Sequence, residues 1–411
     1  MCNETSENKY KNVIGALKKS PMFNLSLSSK ELFHSNFLYW IAQKDKAVFK
    51  TLINKLGVKT GEWPDEWEVS REHKNFDLCV CEKVTKNELL VIENKFKSLP
   101  DKAQLDKYDK KLQNNTDCQK ILLSLTKPFI DEQGNWKWKS YEPLVNKLRE
   151  VKDEFDPYAQ SLIEDYCGFV NNIITLTRMW IAKDKQDGAP FLLDYKADDL
   201  KHEEESESNV NIDNKWRYYN DAKELRIHDL YGKYRTERLR VVLDKRIKKL
   251  LEKAKGKGLD IATNTAYTRS LPILEVVIRG VGKPAESNKE PEAFFISIQD
   301  NQYRHAINAR DNNESTKEDR IESSKTRIKD NTAWHSFLNP EEKPKKDCGW
   351  FPNSVILANS GQRNNVCSFA GKGGVNYIYQ YKKIEADAKI EQVLDLMVDD
   401  VEKIIDNFTQ K

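Results

Sequence analysis

Asn75 to Lys95 reads Asn-Phe-Asp-Leu-Cys-Val-Cys-Glu, a polar turn over Lys83 to Asn87, then Glu-Leu-Leu-Val-Ile-Glu-Asn-Lys. Leu78 to Glu82 and Leu89 to Ile92 are rich in Leu, Val and Ile and predict two strands of a hairpin. A hairpin symmetric about Thr85 sets Asp77 directly across from Glu93. Directly opposed residues share one sheet face, with Cβ atoms roughly 5 Å apart. The period of two brings Lys95 back to the face of Glu93.

Two carboxylates at that separation repel each other, and a divalent cation between them removes the repulsion. Hard oxygen ligands of this kind suit Mg2+ or Mn2+. An ammonium beside the metal can hold a water and stabilise negative charge on a phosphate. The plainer alternative is a surface hairpin in which Lys95 forms an ordinary salt bridge. The ends of the two apolar runs, where these carboxylates sit, favour the chemical reading.

The elements that must position these groups flank the hairpin. Before it, Ser28 or Ser29 can cap a helix with Glu31 in its first turn. Leu32, Phe33, Phe37, Leu38, Trp40 and Ile41 recur at helical spacing and give it a wide buried face, with Glu31, His34, Ser35 and Leu38 along one edge. After the hairpin, Pro100 suits the first turn of a second helix, on which Gln104 and Tyr108 share a face. Ile121 to Leu125 predicts a buried strand. Trp136, Trp138 and Tyr141 read as a strand edge leading to a helix around Leu144 and Leu148.

This order of helix, strand, strand, helix, strand resembles the PD-(D/E)XK nuclease superfamily, especially a bacterial branch. There an E-x-x-x-S-x-F-L-x-W helix precedes a D…ENK hairpin and a Q-L-x-x-Y helix. The resemblance covers about residues 28 to 148, and Phe76 stands where the family name has proline. It implies a mixed α/β, restriction-endonuclease-like core with a central mixed sheet flanked by helices. It also implies Asp77, Glu93 and Glu31 at a Mg2+ or Mn2+ site, Lys95 as catalytic lysine and Gln104 as a further site residue. The implied activity is metal-dependent hydrolysis of nucleic acid, DNA more than RNA, in a setting such as defence against foreign DNA.

The chain has 411 residues, with 38% hydrophobic and 32% charged, enough for two or three domains. No apolar run approaches the roughly 18 residues of a membrane span. The first dozen residues are polar, unlike a secretory signal. The seven cysteines, at 2, 79, 81, 118, 167, 348 and 367, form no CxxC pair and predict neither a disulfide framework nor a zinc ribbon. A cytoplasmic protein is expected.

A net charge of +3 leaves room for a local basic stripe. Lys233 to Lys257 holds eleven Lys or Arg against three acidic residues. Its apolar positions, Leu239, Val242, Leu243, Ile247, Leu250 and Leu251, leave Arg238, Lys245, Lys248 and Lys249 on the other face as candidate phosphate contacts. The alternative is a solvated helix on a core.

The expected organisation is a nuclease-like domain over 1–197, an acidic linker over 198–214 and a C-terminal mixed α/β domain over 215–411. In the last, Ile273 to Ile278, Ala293 to Ile298, Val355 to Leu357 and Tyr377 to Tyr381 predict strands, and Ile390 to Phe408 an amphipathic helix. Asn308 to Asn331 is a second polar tract. Gly371 to Gly374 lacks P-loop spacing and reads as a turn. Trp136, Trp138, Trp216, Tyr218 and Tyr219 could stack on bases, though such aromatics more often line cores. Two rivals to a free-standing nuclease stay open. One is a catalytically silent nucleic-acid-binding protein. The other is an effector nuclease gated by a nucleotide or protein partner. A homodimer is also left open.

Overall fold

The computed structural model describes residues 6–29, 31–100, 102–128, 134–183, 191, 217–268, 271–280, 293–310, 354–357, 363–370 and 375–408. The chain divides into two compact units: Met1–Lys185 with Asn220–Tyr234, and Gln186–Tyr219 with Arg235–Lys411. The expected linker, 198–214, lies outside the described residues. Asn220–Tyr234, read from sequence as C-terminal, clusters with the first unit, where Tyr231 meets Trp180 edge-on with ring centres 4.9 Å apart.

The first unit opens with helices α1 (Ser6–Lys19), α2 (Pro21–Ser29), α3 (Glu31–Lys44) and α4 (Lys46–Lys55). Ser28 and Ser29, expected to cap α3, are instead the last residues of α2. Asp45 caps α4, its carboxylate accepting the Ala47 and Val48 amides at 2.8 and 2.9 Å. There follow β1 (Trp67–Arg71), β2 (Leu78–Glu82), β3 (Glu88–Lys95), α5 (Lys102–Lys111), β4 (Gln119–Ser124), β5 (Lys137–Ser140), α6 (Tyr141–Val151) and α7 (Pro157–Lys183). Pro100 precedes α5 rather than filling its first turn, and Tyr141 opens α6 rather than closing a strand.

The strands form one mixed sheet in the order β1-β2-β3-β4-β5. β1, β2 and β3 pair antiparallel, whereas β3, β4 and β5 pair parallel. The antiparallel steps are tight connections, and α5 supplies the crossover that a parallel step requires. This sheet with its helices agrees with the restriction-endonuclease-like core implied by the resemblance.

Pleating divides the sheet's residues between two sides. Val91, Cys79, Cys81 and Leu122 pack against Leu105 and Tyr108 of α5 and Leu112 just beyond it. Glu93 and Lys95 follow Val91 at steps of two and fall on that side. Asn94 falls on the other side, where Ser35 of α3 reaches it.

Helices α8 (Arg217–Glu224) and α9 (His228–Ile247) are each split by the division, Asn220–Tyr234 being assigned to the first unit and their remaining residues to the second. A 3-10 turn, Lys248–Leu250, joins α9 to α10 (Leu251–Gly256). Strands β6 (Leu259–Thr268), β7 (Leu271–Gly280), β8 (Ala293–Gln299), β9 (Gln302–Arg310), β10 (Arg363–Ala370) and β11 (Val375–Lys383) form a fully antiparallel sheet, order β10-β11-β9-β8-β7-β6. The final helix, α11 (Ile390–Asn407), buries Val393, Met397 and Val401 in one cluster with Leu239, Leu243 and Ile247 of α9 and Val276, Ile278 and Phe294 of the sheet.

Three readings of this half are corrected. Val355 to Leu357 is a turn ending in a single bridge from Leu357 to Ile384, not a strand. β6 and β10 arise from polar, alternating sequence that carries no strand expectation. Asn308 to Arg310, the start of the expected polar tract, is the end of β9; the rest of that tract, Gly371 to Gly374 and Trp216 lie outside the described residues.

Candidate active site

The β2–β3 register is the first determinant of the site. Leu78 pairs with Ile92, Cys79 with Val91 and Val80 with Leu90, a ladder centred on Thr85. Continued by one residue, it sets Asp77 opposite Glu93. Nearer the turn the register slips, and Cys81 pairs with Glu88 across a bulge.

Glu93 is only 1 % exposed. Its Oε1 lies 2.8 Å from Lys95 Nζ and accepts a hydrogen bond from Gln104 Nε2 at 2.9 Å. Its Oε2 is buried and accepts no hydrogen bond from any described residue. Burial first, and then the negative charge of Asp77, push the Glu93 carboxyl up to about 7. Burial also raises Asp77, against the pull of the Asn94 amide and Lys95, and Glu31 adds to the rise. Burial by itself would lower the Lys95 ammonium, but the Glu93, Asp77 and Glu31 carboxylates outweigh it and hold it above the usual lysine value. An excess of negative charge is thus confined in a nearly dry pocket, where unit charges interact far more strongly than in water.

α5 completes the near side. Gln104 also donates to the Tyr108 hydroxyl at 2.8 Å, and that hydroxyl donates to the Asn75 carbonyl at 3.0 Å. Gln104 is therefore fixed from behind while it holds Glu93. The pair at helical spacing, expected to share a face, acts as one chain of hydrogen bonds.

Glu31, at the start of α3, lies within electrostatic range of Asp77, Glu93 and Lys95. The resemblance implies it as a third carboxylate at the metal. Among the described residues no group of three or more His, Cys, Asp or Glu is disposed to hold a metal ion. Glu31 Oε1 instead accepts the Lys97 amide at 3.1 Å, which ties α3 to the end of β3.

Residues that the sequence does not single out lie beneath the sheet. The Asn94 amide nitrogen donates to Asp77 Oδ2 at 2.7 Å. Its side chain donates through Nδ2 to Ser35 Oγ at 2.6 Å and accepts from the Tyr141 hydroxyl at 3.3 Å. The signal that could have found Asn94 is a lone amide in an apolar strand, since a buried polar group must find partners. Lys97, 5 % exposed, donates to the Ser26 carbonyl at 2.8 Å. His34 is wholly buried against Phe96, with ring centres 3.8 Å apart, and burial holds its pKa well down. It is a neutral core histidine.

The donor set fits a hard divalent cation. Mg2+ is typically bound by one or two carboxylates together with waters and substrate phosphates rather than by an all-protein cage. Asp77 and Glu93 supply the two carboxylates, and the unpartnered Glu93 Oε2 is a buried acceptor still without a positive partner.

The candidate phosphate contacts lie in the second unit. Lys245, Lys248 and Lys249 are exposed, and Arg238 is half-buried. Other charges of the tract face acidic groups of α11. Arg246 pairs with Asp395 at 2.6 Å and with Glu391, and Lys253 with Glu402 and Asp406 at 3.0 and 2.7 Å. Trp136 is buried under α5, and Trp138 donates to Ser124 Oγ at 2.8 Å. These two aromatics belong to the core.

Residues 22–167 match the family model of the PD-(D/E)XK nuclease superfamily. The matched span carries the whole hydrogen-bonded constellation, from Ser26 to Tyr141. No curated protein and no solved structure matches the chain. No helix among the described residues is long and apolar enough to cross a membrane.

Proposed function

We propose that this protein is a Mg2+- or Mn2+-dependent nuclease that hydrolyses phosphodiester bonds in nucleic acid. The observation that carries this reading is the buried Glu93 carboxylate. It is bound by Lys95 and Gln104 on one oxygen, bare on the other, and opposed in register by Asp77. A purely structural salt bridge would not need a second, half-buried carboxylate across the strand. The match of residues 22–167 to a nuclease superfamily supports the same class. DNA as the preferred polymer, and defence against foreign DNA as the setting, rest on the family resemblance.

Asp77 and Glu93 would hold the metal, which supplies Lewis acidity at the scissile phosphate. The Asn94 amide fixes Asp77, and Gln104 with Tyr108 fixes Glu93, so neither carboxylate has to reorganise during the reaction. Lys95 keeps its proton, because three carboxylates surround it. A cation so held can orient an attacking water and offset charge that builds on the phosphate. Glu31 adds charge at the α3 side.

The test is incubation of the full chain with Mg2+, and separately with EDTA, on single- and double-stranded DNA and RNA. Cleavage that requires the metal and disappears in Glu93→Gln supports the reading. Equal cleavage in EDTA overturns it.

A further inference from the structure

α5 meets the candidate active site along one edge. Leu105 and Tyr108 pack on the sheet, and Gln104, Lys107 and Lys111 follow one another beside them at steps of three and four. Three contacts lay this edge along the site in order. Gln104 holds Glu93, Tyr108 bonds the Asn75 carbonyl, and Lys111 Nζ donates to the Lys74 carbonyl at 2.6 Å. The edge therefore lies on the side of the sheet that carries Glu93 and Lys95, and it runs past the segment that leads into Asp77.

Charge is sorted round α5. Asp106 and Asp109 lie about 140° or more from Lys111 at ~100° per residue, and Asp109 pairs there with Lys120 Nζ at 2.6 Å. The other cations near the site are committed, Lys95 to Glu93 and Lys74 to Glu88. No carboxylate among the described residues pairs with Lys107 or Lys111. Lys107 is exposed. Lys111 is half-buried, its Nζ 5.5 Å from the Tyr108 ring centre and 5.8 Å from that of Phe76. An ammonium has three donors, and the Lys74 carbonyl takes one of those on Lys111. The cation is held in place with donors left over and no anion to neutralise it.

An anion is what this edge lacks, and the substrate proposed above is a polyanion. A rise of ~1.5 Å per residue sets Lys111 about 10 Å along the helix from Gln104. We propose that the Lys107–Lys111 edge of α5 binds the sugar–phosphate backbone of the substrate beside the scissile bond, with Lys111 as its fixed anchor. The inference rests on the nuclease reading for the word scissile. At the ~3.4 Å axial spacing of a duplex strand, Lys111 meets a phosphate about three steps from the one over Glu93. A lysine reads phosphate as a point charge and carries no base information, so the contact sets the register of the strand without selecting a sequence.

The test uses the full chain and one labelled oligonucleotide. Affinity is measured by fluorescence anisotropy in EDTA across a salt series, and cleavage is followed separately with Mg2+. Lys111→Ala and Lys107→Ala should each weaken binding and flatten the dependence of log K on log salt by about 0.7–0.9, the loss of one phosphate contact. KM should rise with kcat retained. Lys111→Arg should keep the wild-type slope. Lys55→Ala, which removes an exposed lysine at the end of α4, should change neither slope nor affinity. A purely structural clamp on the Lys74 carbonyl would give a different signature in Lys111→Ala: a wild-type salt slope with lowered Tm and weaker calorimetric Mg2+ binding. That signature, or wild-type slopes in both alanine variants, overturns the proposal. Lys107 is exposed, so its variant carries the same test if Lys111→Ala does not fold. If wild type binds through these lysines but cuts nothing with Mg2+ or Mn2+, the nuclease reading falls and the backbone site stands.

Discussion

The main-chain N–H of Asn94 donates to the Asp77 carboxylate across the β2–β3 ladder at 2.7 Å. Asn94 stands between Glu93 and Lys95, so one strand carries the acid, the anchor and the cation in three consecutive positions. The Asn94 side chain is gripped on the opposite side by Ser35 and Tyr141. Asn94→Ala would leave the Ser35 and Tyr141 hydroxyls buried and short of a partner, at a cost of about 1–3 kcal/mol. Chemical denaturation should show that destabilisation, and calorimetric titration should show weaker Mg2+ binding. Ser35→Ala should show a smaller version of both. Unchanged Mg2+ affinity in Asn94→Ala would mean that the backbone hydrogen bond alone suffices.

Lys95→Ala should lower kcat by about 100- to 1000-fold with little change in KM, as expected when one preorganised charge is removed from the transition state. Glu93→Ala should abolish Mg2+-dependent cleavage by collapsing metal affinity. Steady-state kinetics on a cleavable oligonucleotide separates the two. Full activity in Lys95→Ala would reduce the lysine to a salt-bridge partner.

Metal-free stability should fall as pH rises. Glu93 titrates at about 7 in the folded chain, because of burial and the Asp77 charge, against an ordinary glutamate value of 4.5. The folded state therefore holds its proton more tightly than the unfolded state does. The resulting stability is fully present below the unfolded value and is lost as pH climbs through about 7. A divalent cation competes with that proton, so the rise in Tm on adding Mg2+ should be small near pH 5 and several degrees near pH 8. Glu93→Gln should remove both the pH slope and most of the Mg2+ response. Parallel thermal melts with Mg2+ and with EDTA decide this, and an equal Mg2+ effect at both pH values would count against a metal on Glu93.

The exposed lysines of the second unit lend themselves to a salt experiment. Replacing Lys245, Lys248 and Lys249 together by alanine should weaken nucleic-acid binding without regard to sequence. It should also flatten the dependence of log K on log salt by about 0.7–0.9 for every phosphate that one of these lysines neutralises in the wild type. An unaltered slope would leave them as ordinary solvated charges on a core helix.

Much of the site is legible in the sequence because strand pairing is arithmetic. Once Leu78 to Glu82 and Leu89 to Ile92 are strands about Thr85, the period of two places Asp77, Glu93 and Lys95 on one side. Gln104 and Tyr108 follow from helical spacing in the same way. Asn94 with Ser35 and Tyr141 is not legible, because these bonds join elements far apart in sequence, and no local pattern announces which buried hydroxyl will meet a given amide. The same reason explains Glu31. Its place at the start of α3 is evident, but its bond to the Lys97 amide depends on how the helix lies on the sheet. Val355 to Leu357 fails as a strand because three apolar residues are enough for a bridge but not for a ladder. β6 and β10 escape a reading of hydrophobic pattern because Thr, Asn and Ser fill much of them, and their pairing is set by neighbouring strands rather than by their own hydrophobicity.

The bulge where Val80 gives way to Cys81 separates the hairpin into two mechanical parts. On the side of Asp77 the register runs without irregularity, and a slip of one residue there would exchange Asn94 for its charged neighbours and dismantle the site. On the side of Lys83 to Asn87 the register has already been broken once, so a lengthened or shortened turn is taken up at the irregularity. The hairpin tip is thus insulated from the chemistry, and change in the protein can accumulate there without reaching it.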